Sequence, residues 1–100
     1  MKEIIENRIY DTQEARYIGS HCNEYPPGSE LYEKEELYQC YGAKRFFLAC
    51  TGGARSGYCD RVNGERIPGE HIVPLNSTAA KKWGARYLDI DTYLLVFYGM

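Results

Sequence analysis

Six side chains could ligate a metal or act as nucleophile and base: His21, Cys22, Cys40, Cys50, Cys59 and His71. Zinc takes four nitrogen or sulfur donors in a tetrahedron, and sequences that hold it usually supply them as close pairs such as C-x2-C. The chain has no such pair. The set read as a zinc site is His21, Cys22, Cys50 and Cys59, with Cys40 and His71 as alternatives, and one zinc ion is the only cofactor expected. The irregular spacing favours the competing reading of ordinary free thiols. Hairpin register decides part of this. With Leu37 opposite Leu48, Cys40 and Cys50 point to opposite faces, and a one-residue shift would unite them. A cysteine nucleophile needs a paired histidine, which no spacing here announces, and a lone cysteine is more often a small buried hydrophobe. The run GGARSG from Gly52 lacks the Lys-Ser/Thr ending of a phosphate loop. The chain is therefore read as a non-enzyme.

Charge is the second source of chemistry. The net charge of -2 conceals a segregation along the chain. Up to Cys40, Lys2, Arg8, Arg16 and Lys34 face Glu3, Glu6, Asp11, Glu14, Glu24, Glu30, Glu33, Glu35 and Glu36. From Tyr41 to Arg86 the cations Lys44, Arg45, Arg55, Arg61, Arg66, Lys81, Lys82 and Arg86 face only Asp60, Glu65 and Glu70. If the fold keeps these segments apart, the molecule has an acidic and a basic side, and such fields steer partners. Lys44, Arg45, Arg55, Arg61 and Arg66 could contact phosphates, with Tyr58 to stack on a base. The acidic isoelectric point speaks against a dedicated nucleic-acid binder.

The elements that must position these residues centre on LYQCYGAKRFFLACTGG, Leu37 to Gly53. Its aromatic runs suit a half-buried pleated surface, and Gly42 lets the chain reverse. The expected fold is α+β in a single domain over residues 1–100. It has a small antiparallel sheet, with a central hairpin at about 37–51 and an edge strand at about 71–75, and short helices on one face. Residues 4–10 read as a short hairpin turning at Glu6-Asn7. Asp11 to Glu14 reads as an aspartate form of the capping box, opening a helix of about two turns that Gly19 stops. Ser20 to Ser29 is a Pro-Gly loop, Glu30 to Glu36 an exposed charged lead-in, and Ala54 to Gly69 a long basic loop. Asn76 or Ser77 caps a helix through about Leu88 that Trp83 anchors, and Asp89 or Asp91 starts a last helix ended by Gly99. The expected core is Ile9, Leu37, Phe47, Leu48, Ile72, Leu75, Trp83 and Leu88.

Ten of the fourteen aromatics are tyrosine, which covers a core while its hydroxyl reaches water. The N-terminus MKEIIENRIYD has no apolar signal region, and no run approaches membrane length. A cytosolic chain with no membrane partner and with reduced cysteines is expected.

The order RIYDTQEARYIG, ELYQCYG, RFFLACTGG, HIVPLN, AAKKW and LDIDTYLLVFYG resembles a group of small bacterial proteins carried on phages and other mobile elements. The resemblance covers nearly the whole chain. Cys22, Cys40, Cys50 and Cys59 depart from its pattern, and it supplies no catalytic residue. Proteins of this kind include the anti-CRISPR inhibitors of CRISPR effector nucleases, and by analogy the resemblance implies an inhibitor acting in the cytoplasm of a bacterial host. The partner would be a CRISPR effector, whose basic channels hold nucleic acid. Glu24, Glu30, Glu33, Glu35 and Glu36 would face such a channel, and Tyr25 and Tyr32 would supply buried anchors. Arg55, Arg61 and Arg66 form the alternative contact surface. The rival reading is a small nucleic-acid-binding or zinc-stabilised interaction module.

Overall fold

The structure, a computed structural model, describes residues 1–99. Aromatic and β-branched runs separated by turn residues build three antiparallel units. Strands β1 (Lys2–Ile5) and β2 (Arg8–Asp11) form the N-terminal hairpin. Its turn is made by Glu6 and Asn7, both left-handed with φ of 51° and 65°. That geometry matches the twist of a two-residue hairpin. The main sheet has the order β3-β4-β5-β8, from β3 (Ala15–Cys22), β4 (Glu33–Cys40), β5 (Phe46–Gly52) and β8 (Gly69–Leu75). Between its last two strands lies a separate ribbon, β6 (Asp60–Val62) with β7 (Glu65–Ile67). Helices α1 (Ser77–Tyr87) and α2 (Ile90–Tyr98) close the chain.

The fold is α+β, with the expected hairpin at its centre. Leu37 pairs with Leu48 across β4 and β5, and β8 is an edge strand carrying Pro74. A proline fits an edge because it cannot donate to the ladder. Asn76 caps α1 by accepting from the Ala79 amide at 2.8 Å, and Asp89 caps α2 through the Thr92 amide at 3.1 Å. Gly99 ends α2 at φ 69°. Gly84 has no room for a side chain, since a Cβ there would lie 2.9 Å from Phe97 Cε2 on the facing helix.

The sheet is covered on both faces. On the front, α1 and α2 lie over Leu37, Phe46, Leu48 and Cys50, with Ala80 and Trp83 buried against them. On the back, the N-terminal hairpin places Tyr10 against Phe47 and Ile72. Leu75 and Leu88 pack at the margin of the front cluster.

Four expectations are corrected. The segment after Asp11 is not a helix. Asp11 accepts the Gln13 amide in a turn, and residues 15–22 form an edge strand along β4 with a bulge at Ile18. A two-turn helix is marginal by itself, whereas pairing with β4 satisfies the backbone. Ile9 is not core but 68% exposed, because the Glu3–Tyr10 register turns Tyr10 inward and leaves Ile4 and Ile9 on the outer side. Residues 33–36 are not an exposed lead-in but part of β4, half-buried in an interior strand. The basic loop contains the β6–β7 ribbon, turned by Asn63 and Gly64 at φ of 52° and 82°.

Candidate functional site

Strand register assembles a row that sequence spacing conceals. His21, Glu35, Cys50 and His71 lie directly opposite one another on four successive strands, all on the helix-covered face. Glu35 is the hub of this row. Trp83 Nε1, delivered by α1, donates to Glu35 Oε1 at 2.9 Å. The Tyr58 hydroxyl, delivered by the loop after β5, donates to Glu35 Oε2. Burial is the main reason the Cys50 thiol is pushed up to about 11, and burial, then the bond to Glu35, raises Tyr58 further above its ordinary range. Cys50 has no exposed surface and is held as the thiol. The nucleophilic species would be the thiolate, so this cysteine acts as a packed, protonated thiol of the core. At the ends of the row, His21 stacks on Tyr87 with ring centroids 3.8 Å apart, and His71 Nε2 lies 2.9 Å from Asp60 Oδ1.

The residues read as zinc ligands are not gathered at one point. Cys22 pairs with Lys34 and Cys40 with Ala15, which puts both on the back of the sheet, while His21 and Cys50 face the front. Cys59 lies outside the sheet and accepts from Arg66 Nε at 3.4 Å. Among the described residues, no three His, Cys, Asp or Glu side chains stand in a metal-binding arrangement. All four cysteines are free thiols.

The residues read as partner contacts also divide. Glu33 and Glu35 are engaged inside the molecule. Glu33 Oε2 accepts the Gly57 amide at 2.7 Å, and Glu35 serves the hub. Glu36 lies on the back face, 3.9 Å from Lys34. Tyr58, expected to stack on a base, is turned inward. Lys44 and Arg45 occupy the turn at one end of the sheet, while Arg55, Arg61 and Arg66 belong to the other end.

At that second end lies an open cleft of about 760 Å³. Its walls come from the loop around Glu30 and Tyr32, the Gly52-Gly53 turn, and the starts of β6 and β8. The cleft is a product of close backbone approach. Gly53 N donates to Tyr32 O at 2.9 Å, Arg55 N donates to Glu30 O at 2.8 Å, and a Cβ on Gly53 would strike Glu30 O at 2.5 Å. Asn23 holds the other side, donating to Leu31 O and accepting from Glu33 N. Three carboxylates line the cleft, from Glu30, Asp60 and Glu70, and no cationic residue does so among the described residues. Tyr25 and Leu31 stand exposed on the same loop.

Glu30 and Tyr32 were legible as contact candidates, whereas Asp60 and Glu70 were not. They belong to the basic half of the sequence; Glu70 reaches the cleft because β8 pairs back along β5, opposite Thr51, and Asp60 because the start of β6 lies against Gly69 and His71. Knowledge of the β5–β8 register would have placed Glu70, and no local signal points to Asp60. The fold thus interleaves the acidic and basic segments and does not separate them. Family profiles, curated proteins and solved structures offer no match to the chain. Among the described residues no helix is long and apolar enough to cross a membrane.

Proposed function

We propose that this protein is a non-catalytic inhibitor that binds a CRISPR effector nuclease and blocks loading or cleavage of nucleic acid. The observation that carries the reading is the cleft bearing Glu30, Asp60 and Glu70 without a cation in its wall. Its volume lies in the range of about 300–1,000 Å³ typical of binding clefts. A basic side chain of the partner enters it, and the carboxylates take the place of phosphates in a cationic channel. Tyr25 and Leu31 beside the cleft supply apolar anchors, which hold most of the energy of an interface. The acids speed the encounter more than they deepen affinity. The effector class comes from the resemblance of the whole motif order to mobile-element proteins, and the site of action is the cytoplasm of a bacterial host.

Loading of a fluorescent guide RNA onto purified single-protein effectors tests this. Added protein is expected to slow or prevent the rise in anisotropy, with the effect weakening as salt is raised. Undisturbed guide loading, target binding and target cleavage at saturating protein would overturn the reading.

A further inference from the structure

The β6–β7 ribbon is short, exposed over seven of its eight residues, and built on a register that costs stability. Arg61 and Arg66 stand directly opposite each other. Like charges in that position repel. The other side of the ribbon takes Asp60, Val62, Glu65 and Ile67, so its carboxylates point away from the arginine pair. Asp60 is further committed to His71.

The Arg66 guanidinium is braced by protein acceptors that carry no formal charge. Its Nη2 donates to Ser56 O at 3.4 Å and its Nε to Cys59 Sγ at 3.4 Å. Arg55, next to Ser56 on the adjoining turn, is exposed, and its backbone is fixed by Glu30 O. None of the three arginines makes an ion pair among the described residues. Arg61 and Arg66 are thus cross-strand neighbours, Arg66 hydrogen-bonds the turn that carries Arg55, and none of the three is ion-paired among the described residues.

We infer that the ribbon is an arm that binds the phosphate backbone of duplex nucleic acid, with Arg55, Arg61 and Arg66 each on a phosphate. Arginine's planar fork matches phosphate oxygens in pairs, so a braced guanidinium loses little freedom on binding. A two-stranded ribbon is also narrow enough to enter a major groove about 12 Å wide. Duplex nucleic acid is favoured over an acidic peptide because its charge is dense and regular, which suits cations set by strand register on one ribbon better than a flexible chain does. Recognition is independent of base sequence, since the arginines address the backbone. This surface borders the acid-lined cleft, which shares Asp60 with the ribbon, and the inference does not depend on what that cleft binds.

The test is fluorescence anisotropy of a labelled duplex DNA with the full chain over a salt series. Three phosphate contacts give a slope of about -2.7 in log affinity against log salt, so a fourfold rise in salt weakens binding roughly 40-fold. Arg55→Ala and Arg61→Ala are each expected to lower affinity and to make the slope shallower by about one. Both side chains are exposed, and an unchanged melting temperature verifies the fold. Lys44→Ala, at the opposite end of the sheet, is expected to leave binding unchanged. No binding at low salt would overturn the inference. So would a slope indifferent to Arg55 and Arg61, an equal loss in Lys44→Ala, or a poly-glutamate peptide that binds as tightly as the duplex.

Discussion

Glu35 joins a strand, a helix and a loop through one carboxylate. Trp83 and Tyr58 both donate to it, and among the described residues no cation forms an ion pair with it. Glu35→Gln retains one acceptor oxygen and turns a donor toward a donor. It is expected to cost about 1–3 kcal/mol, the penalty of a polar group left without a partner. Glu36→Gln, on the other face and paired with Lys34 at 3.9 Å, is expected to cost less than about 1 kcal/mol. Urea unfolding followed by the fluorescence of Trp83 checks both, and equal costs would contradict the hub. For the same reason, reversing Glu33, Glu35 and Glu36 together to lysine would damage the fold as well as the surface. Cys50 provides a pH signature. Its folded pKa is raised from 9.0 to about 11, so the unfolded chain loses this proton first as pH rises. The contribution of Cys50 is complete below about pH 9 and is lost between about pH 9 and about pH 11. Tyr58, also raised, acts in the same direction at higher pH. In reducing buffer, Cys50→Ala is expected to show a shallower loss of stability across that window. An unaltered pH profile would contradict the burial of a protonated thiol.

At the scale of elements, α1 is held by its cap, by Trp83 and by its contact with α2. Trp83→Ala is expected to cost ~3–5 kcal/mol, from lost packing and a vacated Glu35. Asn76→Ala removes the acceptor for the Ala79 amide and is expected to cost about 1 kcal/mol. Denaturant midpoints measure both, and a near-wild-type midpoint for Trp83→Ala would show that α1 is not anchored where the structure places it. Both caps, the Gly42 reversal and the central hairpin were legible because each rests on nearby residues. The strand at 15–22 was not legible, because the capping pattern at Asp11 to Glu14 is a local signal while the pairing of His21 with Glu35 is long-range. The β6–β7 ribbon lay hidden in strands of three residues, although Asn63-Gly64 is a hairpin-turn signal that could have revealed it. The candidate site was the least legible part. Its row and its cleft depend on the register of four strands, and no spacing in the sequence encodes that directly.

The whole molecule is a slab of 46 × 33 × 21 Å, thin enough that tyrosines span from core to surface. Its charge is organised by fold rather than by sequence half. Glu30 from the acidic half meets Asp60 and Glu70 from the basic half around one cleft, while Arg55, Arg61 and Arg66 emerge beside it on the ribbon. Two surfaces of opposite sign at one end suit a partner that offers both cationic protein and bound nucleic acid. Glu30 and Glu70 are exposed, and neither makes a side-chain ion pair among the described residues, so Glu30→Lys with Glu70→Lys reverses the cleft without removing an internal contact. The most direct test is target cleavage by purified effector and guide, titrated with the native protein and with this double variant at matched melting temperature. The account predicts that the native protein suppresses cleavage by at least one effector type and that the variant does so at least about tenfold more weakly, the effect of losing roughly 1.4 kcal/mol of complementarity. Full cleavage at saturating native protein across effector types, or equal suppression by the variant, would contradict it.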